Sequence, residues 1–144
     1  MITGTVFVDT SAWYAVMDAS DRRHAAAAAF YQEHAPAGHF VTSNMVLAET
    51  WTLLTAHLGR RAALTLWEML RVAHLPVVAV ESVDLEAAWR IIEAFHDQDF
   101  SLTDGTSFSV MERVGIIDAF SFDRHFLIYR YGARRQRAFT CHPA

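Results

Sequence analysis

The chain has 144 residues and carries 12 basic side chains against 16 acidic ones, a net charge of −4. Every basic residue is an Arg, so a P-loop and Schiff-base chemistry, which both need a Lys, are disfavoured. The single Cys, Cys141, excludes an intramolecular disulfide and a Cys-rich zinc site, and a composition 53% apolar and 19% charged argues against disorder. One domain over residues 1–144 is expected at this length.

In chain order, Thr5 to Val8 reads as a short buried strand ending at Asp9. A helix follows over Ser11 to Met17, with Asp9, Thr10 or Ser11 as its cap. Asp21 is expected to cap a second helix through His34, which Pro36 and Gly38 then break. His39 to Thr42 reads as a second strand. Ser43 or Asn44 caps a helix to Leu58, whose stripe is Leu47, Trp51, Leu54 and Leu58. Gly59 separates it from a helix over Arg60 to Ala73. Pro76 leads into a strand over Val77 to Val80. Ser82 caps a helix through His96, and Thr103 caps another through Arg113, closed by Gly115. Ile116 to Ser121 contains a strand, and Arg137 to Thr140 a last edge strand.

Strands alternating with helices predict an α/β fold with a parallel sheet and helices on both faces. Sites in such sheets form beyond the carboxyl ends of the strands. The N-terminal sequence lacks a basic segment followed by an apolar run, and no apolar run reaches 18 residues. A cytoplasmic protein without a membrane span is therefore expected.

Four acids fall where that topology gathers them. Asp9 follows the first strand, and Asp123 follows a later one at nearly the same relative place, in TVFVDTS and DAFSFDRH. Asp104 begins the helix before that later strand. Glu49 lies within the helix after the second strand, beside its apolar stripe. Asp9, Asp104 and Asp123 each also read as helix caps. Glu49 has no Lys to pair with, so a metal or a protonated state would have to satisfy it. Clustered carboxylates raise one another's pKa, and a divalent cation relieves that cost. An all-oxygen set favours Mg²⁺ or Mn²⁺ over zinc, and such a centre suits phosphodiester hydrolysis.

Other residues carry two readings each. Thr10, Thr106 and Ser107 adjoin the acids and can bond carboxylate or phosphate, or serve as ordinary helix hydroxyls. Arg130, Arg134, Arg135 and Arg137 belong to a segment, Arg124 to Ala144, with five Arg and no acid. They can hold RNA phosphates or form a solvated surface. Asp99, five residues before Asp104, reads as a fifth acid of the site or as a turn acid, with the turn favoured for it and for Asp97. Of eight His, only His125 is worth testing at the site, with a structural or surface role favoured. The four Trp read as core or dimer-face residues.

Four segments in order resemble the PIN domain, and within it the VapC-type toxin ribonucleases of bacterial toxin–antitoxin pairs. They are FVDTSAW (Phe7 to Trp13), VTSNMVLAETWTLL (Val41 to Leu54), SLTDGTSFSVMERVGI (Ser101 to Ile116) and AFSFDRHF (Ala119 to Phe126). The resemblance covers nearly the whole chain and implies a PIN-like α/β/α sandwich. It implies that Asp9, Glu49, Asp104 and Asp123 are the catalytic and metal-holding quartet, with Mg²⁺ or Mn²⁺ as cofactor. Gly105, after the third acid, is a mild departure. The implied function is an RNA-cleaving toxin held in check by a cognate antitoxin, often as a homodimer. A PIN nuclease of RNA processing without a toxin role, and a binding module that has lost catalysis, are the alternatives.

Overall fold

A computed structural model describes residues 4–144. Its sheet has five strands in the order β3-β2-β1-β4-β5. They are β1 (Val6–Val8), β2 (Phe40–Ser43), β3 (Val77–Val78), β4 (Asp118–Phe120) and β5 (Thr140–His142). Every pairing is parallel, so all five carboxyl ends lie along one edge. β1 is central and wholly buried, which is why VFV shows no polar alternation.

Seven helices flank the sheet among the described residues: α1 (Thr10–Met17), α2 (His24–His34), α3 (Asn44–Leu58), α4 (Arg60–Val72), α5 (Ser82–Ala94), α6 (Leu102–Val114) and α7 (His125–Ile128). α1 packs on α2 and α3, α3 on α4, and α5 on α6. The core is aromatic, with Trp13, Phe7, Phe108, Phe120, Phe126 and Tyr129 among its fully buried side chains. The four Trp divide. Trp13 is buried with its indole N–H donating to Thr42 Oγ1 (3.3 Å), Trp51 is half-buried, and Trp67 and Trp89 are exposed.

Several local expectations shift. Asp21 does not cap α2 directly; its carboxylate accepts from the Arg23 N–H (2.8 Å) and turns the chain just ahead of the helix. The cap of α5 is Glu81, not Ser82, and that of α6 is Ser101, not Thr103. In both cases an Asp at the third helical position bonds back to the cap N–H, a reciprocal pairing that outweighs a lone hydroxyl. The last strand lies three residues later than Arg137, because Arg137 instead bridges to Tyr131 across a turn. Gly115 closes α6 in the left-handed conformation (φ 77°), as expected.

Gly105 owes its place to packing. A Cβ there would lie 3.1 Å from the Ala88 Cβ and 3.3 Å from the Ala88 carbonyl oxygen. The missing side chain lets α6 sit close against α5, and that contact outweighs the small loss of helix propensity.

Candidate active site

β1 is followed directly by Asp9, which is the cap of α1 and accepts from the Ser11 N–H. Register sets its neighbours. Val8 pairs with Phe120, so Ser121 is the residue level with Asp9 on the adjoining strand, and Asp123 lies two residues beyond. The Asp9 carboxylate receives two hydroxyls at Oδ2, from Ser11 (2.8 Å) and Ser121 (3.0 Å). Ser11 Oγ also accepts the Phe122 N–H (2.9 Å), and Ser121 Oγ accepts the Asp123 N–H (3.1 Å). This small network ties the end of β1 to the turn after β4. The sequence offers Ser11 only as a possible cap of α1 and gives Ser121 no role. Setting VFV against DAF residue by residue would have placed Ser121 beside Asp9.

Asp104 arrives from another direction, on the first turn of α6. Its Oδ2 accepts the Ser101 N–H (3.0 Å), and Ser101 Oγ accepts its own N–H (3.0 Å). The capping reading and the site reading therefore meet in the same side chain. The α6 N-terminus also directs the positive end of its dipole toward this carboxylate. Asp123 accepts the His125 N–H at Oδ1 (2.9 Å). His125 Nδ1 lies 2.8 Å from Asp104 Oδ2 and 3.5 Å from Asp123 Oδ1. Asp104, Asp123 and His125 thus each offer one ligand atom within 4.8 Å of the others.

The electrostatics identify an unbalanced negative centre. Burial pushes the Asp9 carboxyl up to about 7, and repulsion from Asp104 and Asp123 adds to it, against the pull of the two Ser hydroxyls. Asp104 is raised as well, first by burial and then by Asp123, while the Ser101 N–H and His125 oppose the rise. Two buried hydroxyls, Thr10 Oγ1 directly after Asp9 and Ser107 Oγ one helical turn after Asp104, have no hydrogen-bond partner among the described residues. Mutually repelling carboxylates with orphaned hydroxyls alongside are a donor set that fits a divalent cation.

The other candidate residues are placed differently. Thr106 is taken up locally, its hydroxyl donating to the Thr103 carbonyl (3.0 Å). Glu49 is half-buried on α3 and stands outside the Asp104–Asp123–His125 group, with no hydrogen bond or ion pair among the described residues. Asp97 and Asp99 are exposed. Arg130 donates to the carbonyls of Leu127 (2.6 Å) and Tyr129 (3.1 Å), closing the end of α7. Arg135 donates to Tyr129 Oη (2.8 Å) and lies over the rings of Phe95 and Tyr129. Arg137 lies over Tyr131, and Arg134 is exposed, with no hydrogen bond or ion pair among the described residues. Arg23 was not singled out, yet it lies over the Phe122 ring (5.1 Å) and donates to the Phe122 carbonyl (3.1 Å), next to Asp123. Nothing in the sequence links positions 99 residues apart, so that proximity is a product of the fold.

Residues 6–131 match the PIN domain family model. The chain belongs to the PIN domain family. It is 39% identical over 127 residues to the 23S rRNA-specific endonuclease VapC20 from two strains of Mycobacterium tuberculosis, covering 84% of this chain and 91% of the relative. The crystal structure of M. tuberculosis VapC20, a sarcin-ricin loop cleaving toxin, superposes with a TM-score of 0.77 at 37% identity, covering 83% of this chain and 91% of that one. This PIN chain is thus homologous to VapC-type endoribonuclease toxins, and its acidic centre lies at the sheet edge where sites of parallel α/β folds form. Among the described residues no helix is long and apolar enough to cross a membrane.

Proposed function

We propose that this PIN protein is a Mg²⁺- or Mn²⁺-dependent endoribonuclease, the toxin of a toxin–antitoxin pair, and that its substrate is 23S ribosomal RNA. The observation that carries the reading is the convergence of Asp9, Asp104 and Asp123, from three separate parts of the chain, into one mutually repelling centre. Likeness to VapC20 supplies the substrate class.

Asp104 and Asp123 would hold the ion, with Asp9 as the buried third carboxylate and Glu49 as an outer acid. A bound divalent ion supplies polarisation of the phosphoryl oxygens and an activated water for in-line attack. The chain's own residues do the rest. Ser11 and Ser121 lock the Asp9 carboxylate in orientation. The α6 N-terminus favours the charged form of Asp104. Thr10 and Ser107 offer buried hydroxyls to a neighbouring carboxylate. RNA must approach a negative centre, so cations have to hold its phosphates. Arg137 is not placed for that task, because it precedes β5 and adjoins Glu112 and Gly115 at the C-terminal end of α6, away from the acidic centre at its N-terminus. Arg130 and Arg135 brace the Arg130–Arg137 loop. Arg23 and the exposed Arg124 adjoin Asp123 and fit the phosphate-holding role.

Purified protein incubated with total bacterial RNA is expected to cut 23S rRNA in Mn²⁺ or Mg²⁺ and not in EDTA. Asp104→Asn is expected to lower cleavage by at least roughly 10³-fold, the scale of losing a group that acts on the transition state. Cleavage that persists in EDTA, or in the variant, overturns the assignment. Metal-dependent cutting of another RNA instead overturns only the substrate.

The proposal includes a homodimer. Its support is an open apolar groove lined by Leu47, Trp51, Leu64, Trp67 and Val77, with Trp67 47% exposed. Light scattering on the antitoxin-free protein is expected to give twice the 16.2 kDa chain mass, and Trp67→Glu is expected to give the monomer.

A further inference from the structure

Carboxylates are not the only donors at the centre. His125 begins α7, two residues after Asp123, and its ring is held from both sides. Its backbone N–H is fixed by Asp123 Oδ1 (2.9 Å), and its ring meets Phe100 edge to face with centroids 5.1 Å apart. That packing leaves Nδ1 directed at Asp104 Oδ2 (2.8 Å) and Asp123 Oδ1 (3.5 Å). A ring nitrogen close to two carboxylate oxygens is in the position of a third ligand. In the absence of an ion this nitrogen hydrogen-bonds Asp104 Oδ2, and a bound ion would replace that bond. Phe100 is itself buried and packs on Phe95 and Phe108, so the ring rests on a fixed wall.

We infer that His125 is a nitrogen ligand of the metal centre, so that the ion is held by Asp104, Asp123 and an imidazole. The inference rests on the metal-dependent reading above. Its chemical consequence is selectivity. Imidazole adds affinity for Mn²⁺, whereas Mg²⁺ is suited by oxygen ligands and water. The centre therefore prefers Mn²⁺, and the preference resides in one side chain. Among the described residues His125 is the one His grouped in this way with acids, so a nitrogen signal from the site has a single source.

The test is Mn²⁺ bound to the full chain without RNA. Electron paramagnetic resonance first counts bound against free Mn²⁺. Electron spin echo envelope modulation then reads whether a nitrogen is directly coordinated. Wild type is expected to show bound Mn²⁺ with a coordinated nitrogen, and His125→Ala to bind Mn²⁺ without it. By calorimetry, His125→Ala is expected to weaken Mn²⁺ roughly tenfold or more and Mg²⁺ by less than about threefold. His125→Asn, which keeps a hydrogen-bond donor beside Asp104, is expected to lose the nitrogen signal as well. Circular dichroism establishes that each variant is folded. Bound Mn²⁺ with no coordinated nitrogen in wild type overturns this inference alone. No bound Mn²⁺ in wild type overturns the metal-dependent reading together with it.

Discussion

Without metal, the protein is expected to lose stability as the pH rises from 5 to 8, and Asp9→Asn is expected to remove most of that dependence. The sign follows from Asp9. Burial and neighbouring acids lift its folded carboxyl to about 7, from an ordinary value of 3.8. Between those values the folded state binds the proton and the unfolded state does not. Stability therefore falls as pH rises through that interval, and the full penalty is present above about 7. The whole shift is worth at most about 4 kcal/mol, of which roughly 3 kcal/mol falls between pH 5 and 8. For a chain of this length that corresponds to a melting temperature lower by roughly 10 °C at pH 8 than at pH 5. Asp104, also raised, acts in the same direction. Asn at position 9 keeps an oxygen to cap α1 but carries no charge, so its melting curve should vary far less with pH. Mn²⁺ added at pH 8 should stabilise both proteins, and the variant less, because Asp104, Asp123 and His125 remain in it but one repelling charge is gone. A wild-type melting temperature that rises from pH 5 to 8 in chelator would falsify the picture of an unbalanced acidic centre.

The second large effect lies away from the site. Arg113→Ala is expected to destabilise the fold by about 3 kcal/mol, measured by urea unfolding at neutral pH. Asp84 is 1% exposed, near the start of α5, and Arg113 near the end of α6 grips it with two nitrogens, Nε at 2.8 Å and Nη2 at 2.9 Å. The same guanidinium reaches the Ala79 carbonyl (3.2 Å) and stands 3.7 Å from Glu81. Removing it strands a buried carboxylate with only the Glu81 N–H and the Ser109 hydroxyl. Burial works against the charge on Asp84, but Arg113, the Glu81 N–H and Ser109 together hold its carboxyl below the usual range. This group behaves oppositely to Asp9. Its contribution is present above the ordinary carboxylate value and is lost as pH falls through the lowered one. A double substitution of Asp84 and Arg113 to Ala should cost less than the sum of the singles, because the stranded charge is gone. Additive losses would mean the two side chains do not act as a pair.

The two clusters show how one residue type serves two ends. Asp84 and Asp104 both stand at the third position of a helix and both bond back to the cap N–H. Asp84 has a guanidinium to balance it, whereas Asp104 faces Asp123 and Asp9. Helix capping and Arg113 together account for the first. Capping alone leaves the charge of the second uncompensated, and that excess is what a divalent ion would answer.

Much of this was legible in the sequence, because it depends on neighbours along the chain. Asp9 after VFV, Asp104 in the first turn of α6 and Asp123 after DAF follow from strand and helix signals a few residues long. Alternating strands and helices were enough for a parallel sheet, and a parallel sheet brings strand ends to one edge. The tertiary structure alone decided the rest, since it turns on register and packing between distant segments. Pairing Val8 with Phe120 put Ser121, and not Asp123, level with Asp9. The edge-to-face contact with Phe100 turned His125 toward two acids, a role sequence spacing had not favoured. The fold laid Arg23 across Phe122 and drew Arg130 and Arg135 into the frame of the C-terminal loop. It left Glu49 outside the Asp104–Asp123–His125 group. Local propensity can place a charge on an element, but only the packing of elements decides which charges meet.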